Sequence, residues 1–175
     1  DNILRGIAVD LLVIASLNTE QPVQRGQIRL MPWARAYELA LNESNVLIYS
    51  IVRTPARESL FQWVGAIAPT QWYMYSLAER PVKLNSLDDA HGHQIATVNQ
   101  DVGEQYLVSK GFRIGEELQS STKYEHNYRK LKAGYLFPEI AQIVGELAIA
   151  IDLAAVGPSL PDQLRLAHIV PRAQA

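Results

Sequence analysis

At 175 residues, with 48% hydrophobic and 19% charged side chains, the chain can bury a core and is too apolar to be disordered. A formal net charge of −2 provides no basic surface, so we expect no nucleic-acid partner. The absence of cysteine excludes disulfides, thiolate nucleophiles and cysteine-bound metals. Because no apolar run approaches the roughly 18 residues of a membrane helix, we expect a protein that does not itself span a membrane.

The first half of the chain alternates between helix-like and strand-like segments. Apolar spacing predicts a helix over residues 6–17, and a short strand is expected at 27–31. Pro32 favours a helix start, so a second helix is predicted through about residue 41. The branched apolar run 46–51 is typical of a buried parallel strand, and a short helix should follow the N-cap Thr54.

The second half continues this alternation after an aromatic, extended segment at 61–77 and a polar connection at 78–85. The predicted elements, in chain order, are a strand at 94–98, helices at 101–110 and 122–133, a strand at 146–153 and a last helix at 159–168. Two groups of strands and helices joined by an extended segment predict a two-lobed α/β protein. In such folds ligands bind in the cleft at the strand ends.

Four motifs occur in a characteristic order at residues 4–12 (LRGIAVDLL), 30–36 (LMPWARA), 54–58 (TPARE) and 86–92 (SLDDAHG). Together they resemble family-3 extracellular solute-binding proteins, the amino-acid-type receptors of ABC importers. This resemblance implies an α/β, periplasmic-binding-protein-like type II fold with two α/β lobes around a ligand cleft.

The resemblance also implies a division of the chain. It predicts a first lobe at 1–78, whose N-terminal strand would lie before Asp1, and a second lobe at 79–145. A C-terminal strand and helix at 146–175 would return toward the hinge. We therefore expect the native protein to carry further residues, or another chain to supply the missing strand, since an unpaired sheet edge promotes association.

By the same resemblance, the protein captures a small polar solute, amino-acid-like or a carboxylate, by closure of its lobes. Its expected partner is an ABC permease in the membrane, its expected location periplasmic or extracytoplasmic, and no cofactor or catalytic group is implied. Two alternatives stay open: a ligand-sensing domain of a signalling protein, and a dehydratase or lyase on the same fold. No nucleophile elbow, phosphate loop or dinucleotide fingerprint occurs in the sequence.

Arg57 is the leading candidate for ligand binding. The resemblance implies that its guanidinium clamps a ligand carboxylate, for which the planar fork of donors is well suited. A cation at the start of a helix is unfavourable for the helix dipole, which also hints at a role. Ser50 and Val52 fall on the segment that would line the cleft, Ser50 through its hydroxyl or backbone and Val52 through its backbone alone.

Asp101, Val102 and Gly103 open a predicted helix whose free N–H groups could bind an anion. Asp101 is also a natural N-cap with Glu104 at the capping-box position, and its carboxylate would compete with an anionic ligand. We therefore favour a capping role for the Asp101 side chain, with ligand contacts from the neighbouring backbone.

Trp33, Trp72 and Tyr73 are candidates for stacking on a planar or cationic ligand, although packing is the commoner role of such rings. His91 and His93 alternate, so on a strand they would point to opposite faces, and no carboxylate cluster completes a metal site. We predict no bound metal.

Phe137 stands where the resembled family usually keeps an acid for the ligand's α-amino group. An ammonium group that enters a closed cleft without a counter-charge pays a large desolvation cost. We therefore expect a ligand that departs from the standard α-amino acids.

Overall fold

The computed structural model describes residues 4–68 and 72–133, together with the backbone of two later strands at 139–143 and 164–170. The first of these ranges is helical, with irregular connections. Its elements are helix α1 (Ile7–Ser16), a 3₁₀ turn (Arg25–Gln27), helix α2 (Trp33–Asn42) and a second 3₁₀ turn (Pro55–Leu60). The predicted helices at 6–17, at 32–41 and after Thr54 are confirmed.

The strands predicted at 27–31 and 46–51 are wrong for the part of the chain that the structure describes. Residues 28–31 and 46–49 carry no strand pairing there, and Val46 and Leu47 are exposed. The branched apolar composition of 46–51 suits a buried strand, but a strand also needs a hydrogen-bonded neighbour. No residue among those described supplies one.

The remaining strands form one five-stranded sheet, and two helices pack against it. Numbered in chain order, its strands have the spatial order β3-β2-β4-β1-β5. β2 pairs in parallel with β3 and β4, whereas β1 pairs antiparallel with β4 and β5. The strands are β1 (Trp72–Leu77), β2 (Gln94–Val98), β3 (Leu118–Ser121), β4 (Glu139–Ile143) and β5 (Leu164–Val170). Although β1 ends the predicted first lobe, its hydrogen bonds place it with the elements that follow it.

Helices α3 (Val102–Ser109) and α4 (Tyr124–Lys132) lie on opposite faces of this sheet. Leu107 of α3 packs in one apolar cluster, and Leu131 of α4 packs in the other. Adjacent residues of β2, Ile95 and Ala96, point into these two clusters in turn, as the alternation along a strand requires. The sheet is thus covered on both faces, in the manner of a doubly wound α/β fold.

The helix predicted at 159–168 is wrong where the structure describes it, because residues 164–170 form β5. The sequence of this segment, LRLAHIV, is rich in branched apolar residues, and its antiparallel pairing with β1 over six residue pairs fixes it as a strand. The strand predicted at 146–153 lies outside the described residues. Within the described ranges, no helix has both the length and the apolar character that a membrane crossing requires.

Candidate functional site

The carboxyl end of β2 lies where the strand connections diverge. The chain leaves β2 through α3 to β3 on one side, whereas β4 lies on the other side of β2. In open α/β sheets, ligands bind outside the carboxyl ends of the strands at such a switch point. The residues directly after β2, Asn99 to Asp101, therefore mark the candidate site.

Two buried acids hold this corner together. Asp101 caps α3, and its Oδ1 accepts from the Glu104 N–H at 2.7 Å while its Oδ2 accepts from the Tyr124 hydroxyl at 2.8 Å. Glu104 accepts from the Thr97 hydroxyl at 2.5 Å and from the Gln100 N–H at 2.9 Å. The predicted capping role of Asp101 is observed. The first turn of α3 thus already holds two carboxyl groups of the protein itself.

Burial raises the pKa of Asp101 to about 6. The hydrogen bonds from Glu104 and Tyr124 oppose the shift, the Glu104 carboxylate adds to it, and the positive charge of Arg57 opposes it. Asp101 therefore titrates near neutral pH.

Arg57 reaches this corner from the 3₁₀ turn that follows Thr54, and only 1% of it is exposed. Its Nε donates to Gln105 Oε1 at 3.0 Å, Nη1 to the Val52 carbonyl at 3.4 Å and Nη2 to the Gln100 carbonyl at 3.3 Å. All three acceptors are neutral. Burial lowers the pKa of Arg57, against the opposing influence of Tyr37 and Asp101. A guanidinium is too strong a base to lose its proton inside a protein, so Arg57 remains charged at neutral pH.

Aromatic rings of α2 cover the guanidinium. Its Cζ lies 4.9 Å from the centre of the Tyr37 ring and 5.7 Å from that of Trp33. The Trp33 indole also donates to the Gln100 carbonyl at 3.0 Å, so this one carbonyl accepts from both Trp33 and Arg57. Gln100 has a left-handed backbone, with φ of 59°. Residues before β1 therefore contact the corner after β2 directly.

The structure brings together four of the predicted ligand-binding residues: Trp33, Val52, Arg57 and Asp101. Val102 and Gly103 follow in the first turn of α3, both buried, and the Val102 side chain belongs to the apolar core. Ser50 is exposed with φ of 58°, and none of the described hydrogen bonds links it to Arg57.

Trp72 is placed in the core of the sheet and not on a cleft. It is 3% exposed and packs in the cluster that contains Met74 and Ile95, so we regard it as a packing residue. Tyr73 is half-buried, and its ring lies 6.1 Å from that of Tyr75.

Three residues that contact Arg57 were not expected from the sequence: Tyr37, Gln100 and Gln105. Tyr37 could have been found, because it lies one helical turn after Trp33 and therefore on the same face of α2. Gln100 contributes its main-chain carbonyl, and no side-chain pattern marks that group. Gln105 is a common type of helix surface residue, and its partner Arg57 is distant in sequence.

The residues His91 and His93 do not form a metal site with their described neighbours. His91 Nδ1 lies 2.6 Å from Glu117 Oε1, and its ring stacks on Phe112 with the centroids 4.0 Å apart. Within residues 4–68 and 72–133, no group of three or more metal-ligating side chains is close enough to hold a metal ion. Phe137, on which the expectation about the α-amino group depends, lies outside the described residues.

The chain has a periplasmic-binding-protein-like α/β fold, as comparison with solved structures shows. Holo ArgBP from T. maritima is similar over 91% of this chain and 65% of its own length, with a TM-score of 0.64 and 16% identity. A histidine kinase sensor domain with similarity to periplasmic binding proteins is similar over 84% of this chain and 59% of its own, with a TM-score of 0.55 and 18% identity.

An ancestral arginine-binding protein bound to arginine is similar over 69% of this chain and 50% of its own, with a TM-score of 0.53 and 13% identity. The chain thus spans about half to two thirds of the length of these proteins. No protein-family model matches the sequence, and neither does any curated protein.

Proposed function

We propose that this protein captures a small polar solute carrying a carboxylate, which Arg57 binds as two lobes close around it. One observation carries the proposal: Arg57 is 1% exposed, and none of the ion pairs among the described residues includes it. A buried guanidinium whose hydrogen bonds go to neutral acceptors is costly to the fold, and the nearby Asp101 charge reduces this cost without accepting a hydrogen bond from Arg57. A ligand carboxylate would offset that cost through paired, charge-assisted hydrogen bonds.

The surroundings of Arg57 favour a ligand that also offers a flat or apolar part. The rings of Trp33 and Tyr37 line one side of the guanidinium. The N-terminus of α3 is capped by Asp101, so a second ligand anion would meet a carboxyl group of the protein there. A single carboxylate, bound by Arg57 with the Trp33 ring beside it, fits this arrangement.

The proposed setting is extracytoplasmic, with membership of the family-3 solute-binding proteins and delivery of the solute to an ABC permease. The likeness to two arginine-binding proteins supports this version. The likeness to a histidine kinase sensor domain supports a second candidate, in which the same binding event informs a signalling chain. The two versions share the ligand site and differ in the partner that detects closure.

A thermal-shift screen of the protein against amino acids, small carboxylates and amines would identify the ligand class. A ligand present at about 100 times its Kd stabilises the folded state by about 2.7 kcal/mol. The screen should include L-arginine and L-glutamine, because similar ancestral proteins are described as bound to these amino acids. Stabilisation by carboxylates but not by their amides is the expected result.

Substitution of Arg57 tests the proposal most directly. Arg57→Ala is expected to weaken binding of the carboxylate found in the screen by about 1.5–3 kcal/mol, because charged hydrogen bonds are lost. Isothermal titration calorimetry measures the change. Arg53→Ala is the matched control, since Arg53 is exposed and pairs with Glu58. Equal affinities of wild type and Arg57→Ala would refute the proposal.

A further inference from the structure

Gln105 accepts a short hydrogen bond from the guanidinium of Arg57. Its Oε1 accepts from Arg57 Nε at 3.0 Å, compared with 3.3 and 3.4 Å for the two main-chain carbonyls. Gln105 lies in the first turn of α3 and is half-buried. A side-chain amide oxygen has the same trigonal geometry as one half of a carboxylate but no net charge. The Gln105 oxygen therefore accepts from Arg57 in the geometry that a ligand carboxylate oxygen would use, and its bond is weaker because the amide is neutral.

The same contact joins the part of the chain before β1 to the part after β2. Arg57 and Trp33 come from the former, and Gln100 and Gln105 belong to the latter. The hydrogen bonds that link the two parts include two to the Gln100 carbonyl and one to the Gln105 amide. A ligand carboxylate that binds Arg57 through Nε must first break the bond to Gln105.

We propose that Gln105 determines ligand specificity by competing with the ligand for the Arg57 guanidinium. Only an acceptor stronger than a neutral amide displaces it, so carboxylates bind whereas the corresponding amides do not. This inference rests on the proposed function, because it assigns the ligand anion to Arg57. In this proposal Gln105 on α3 has two roles. It selects charged ligands over neutral ones, and its hydrogen bond to Arg57 keeps the two parts of the chain in contact when no ligand is bound.

Two substitutions of Gln105 separate competition from simple ligand contact. Gln105→Glu places a permanent carboxylate beside Arg57, and its charge-assisted bond is about twice as strong as the neutral one. It is expected to weaken carboxylate binding by about 100-fold or more. Gln105→Leu removes the competitor at similar volume and is expected to tighten carboxylate binding by about tenfold. Gln62→Glu makes the same chemical change at an exposed position and should have no effect.

The measurement uses two probes, L-arginine and succinate, each compared with its amide by calorimetry on the whole chain. A second measurement needs no ligand: NMR detects exchange of the Trp33 indole N–H, which donates across the junction to Gln100. Exchange is expected to slow in Gln105→Glu and to accelerate in Gln105→Leu, because opening of the junction exposes this proton.

The outcomes distinguish the two proposals. If Gln105→Glu binds carboxylates as tightly as the wild type does, or if Gln105→Leu binds them more weakly, Gln105 does not compete with the ligand. If the exchange rate of the Trp33 indole N–H is unchanged in both variants, the hydrogen bond between Arg57 and Gln105 does not keep the junction closed. The exchange rates can change as expected while neither probe binds to the wild type or to Arg57→Ala. In that case the proposed carboxylate function is wrong, and so is the proposal that Gln105 selects ligands by their charge.

Discussion

Two opposing effects act on the ionisation of the Asp101 carboxyl group. As the N-cap of α3 it accepts two hydrogen bonds that favour the ionised form, yet it is almost fully buried, which favours the neutral form. Burial dominates, since the pKa rises to about 6 from an ordinary value of 3.8. Glu104, Tyr124 and Arg57 are the titratable or charged groups that influence it.

This shift predicts a pH dependence of stability with a definite sign. The folded chain holds the Asp101 proton more tightly than the unfolded chain does. The associated stability is complete below about pH 4 and is lost as the pH rises through about 6. Asp101→Asn keeps a capping oxygen but does not titrate. Between these pH values the unfolding free energy of the wild type is expected to fall relative to the variant by about 2–3 kcal/mol.

Urea denaturation of both proteins at about pH 4 and pH 7.5 measures this difference. Asp88→Asn is the control, because Asp88 is an exposed acid in a short 3₁₀ turn. A gap between wild type and Asp101→Asn that stays constant with pH would contradict the assignment.

At the residue scale, part of the candidate site follows from local sequence and part does not. Arg57 could be identified because the motif at 54–58 resembles that of the solute-binding family, and Asp101 because Asp before a helix is a natural cap. The Gln100 carbonyl and Gln105 could not be identified. Their importance depends on which distant groups face them, and no periodicity of the chain reports that.

At the scale of elements, helices were easier to predict than strands, and the reason is physical. α1 and α3 are specified by residues within a few positions of each other, such as the Asp101 cap and Gly111 just past the end, with φ of 96°. β3 has the polar sequence LQSS and was missed, because its burial comes from pairing with β2. The run 46–51 shows the converse: strand-like composition without a described partner.

Packing of α3 on the sheet is expected to contribute much of the stability of this unit. Leu107 is 1% exposed in the apolar cluster with Ile95 and Leu118. Leu107→Ala is therefore expected to lower the unfolding free energy by about 2–5 kcal/mol, through lost burial and the cavity it leaves.

The adjacent Val108 offers a matched control, since it lies on the exposed side of the same helix. Val108→Ala is expected to change the unfolding free energy by no more than about 0.5 kcal/mol. Chemical denaturation measures both variants. A loss at Leu107 no larger than the loss at Val108 would show that α3 does not pack as described.

At the scale of the molecule, the exposed large apolar side chains among residues 4–68 and 72–133 lie mostly before β1. The exposed residues on α1 alone include Ile7, Leu11 and Ile14, and others follow at Val46 and Leu47. Ile7, Leu11 and Ile14 are spaced to share one face of α1, and an exposed apolar face marks a site of association. Self-association of the isolated chain is therefore expected to depend on α1.

The double variant Leu11→Lys/Ile14→Lys tests this expectation. It is expected to shift the sedimentation of a concentrated sample toward the monomer, with little change in the unfolding free energy, because both side chains are exposed. Asn18→Lys is the control, since it adds charge at an exposed polar position just past α1. Association that persists in the double variant would locate the contact elsewhere.

The interior position of β1 has a consequence for how the protein is made. Tyr73 in β1 pairs with Ile143 on one side and Ile169 on the other, so both neighbours of this strand emerge from the ribosome long after it. At usual rates of translation, the residues between β1 and the end of β5 take about 5–20 s to synthesise, and β1 lacks its last partner during this time. Long-range pairing of this kind slows folding, and the waiting strand exposes both of its edges. The yield of folded protein should therefore depend more on chaperones that shield unpaired strands than on the final stability of the sheet.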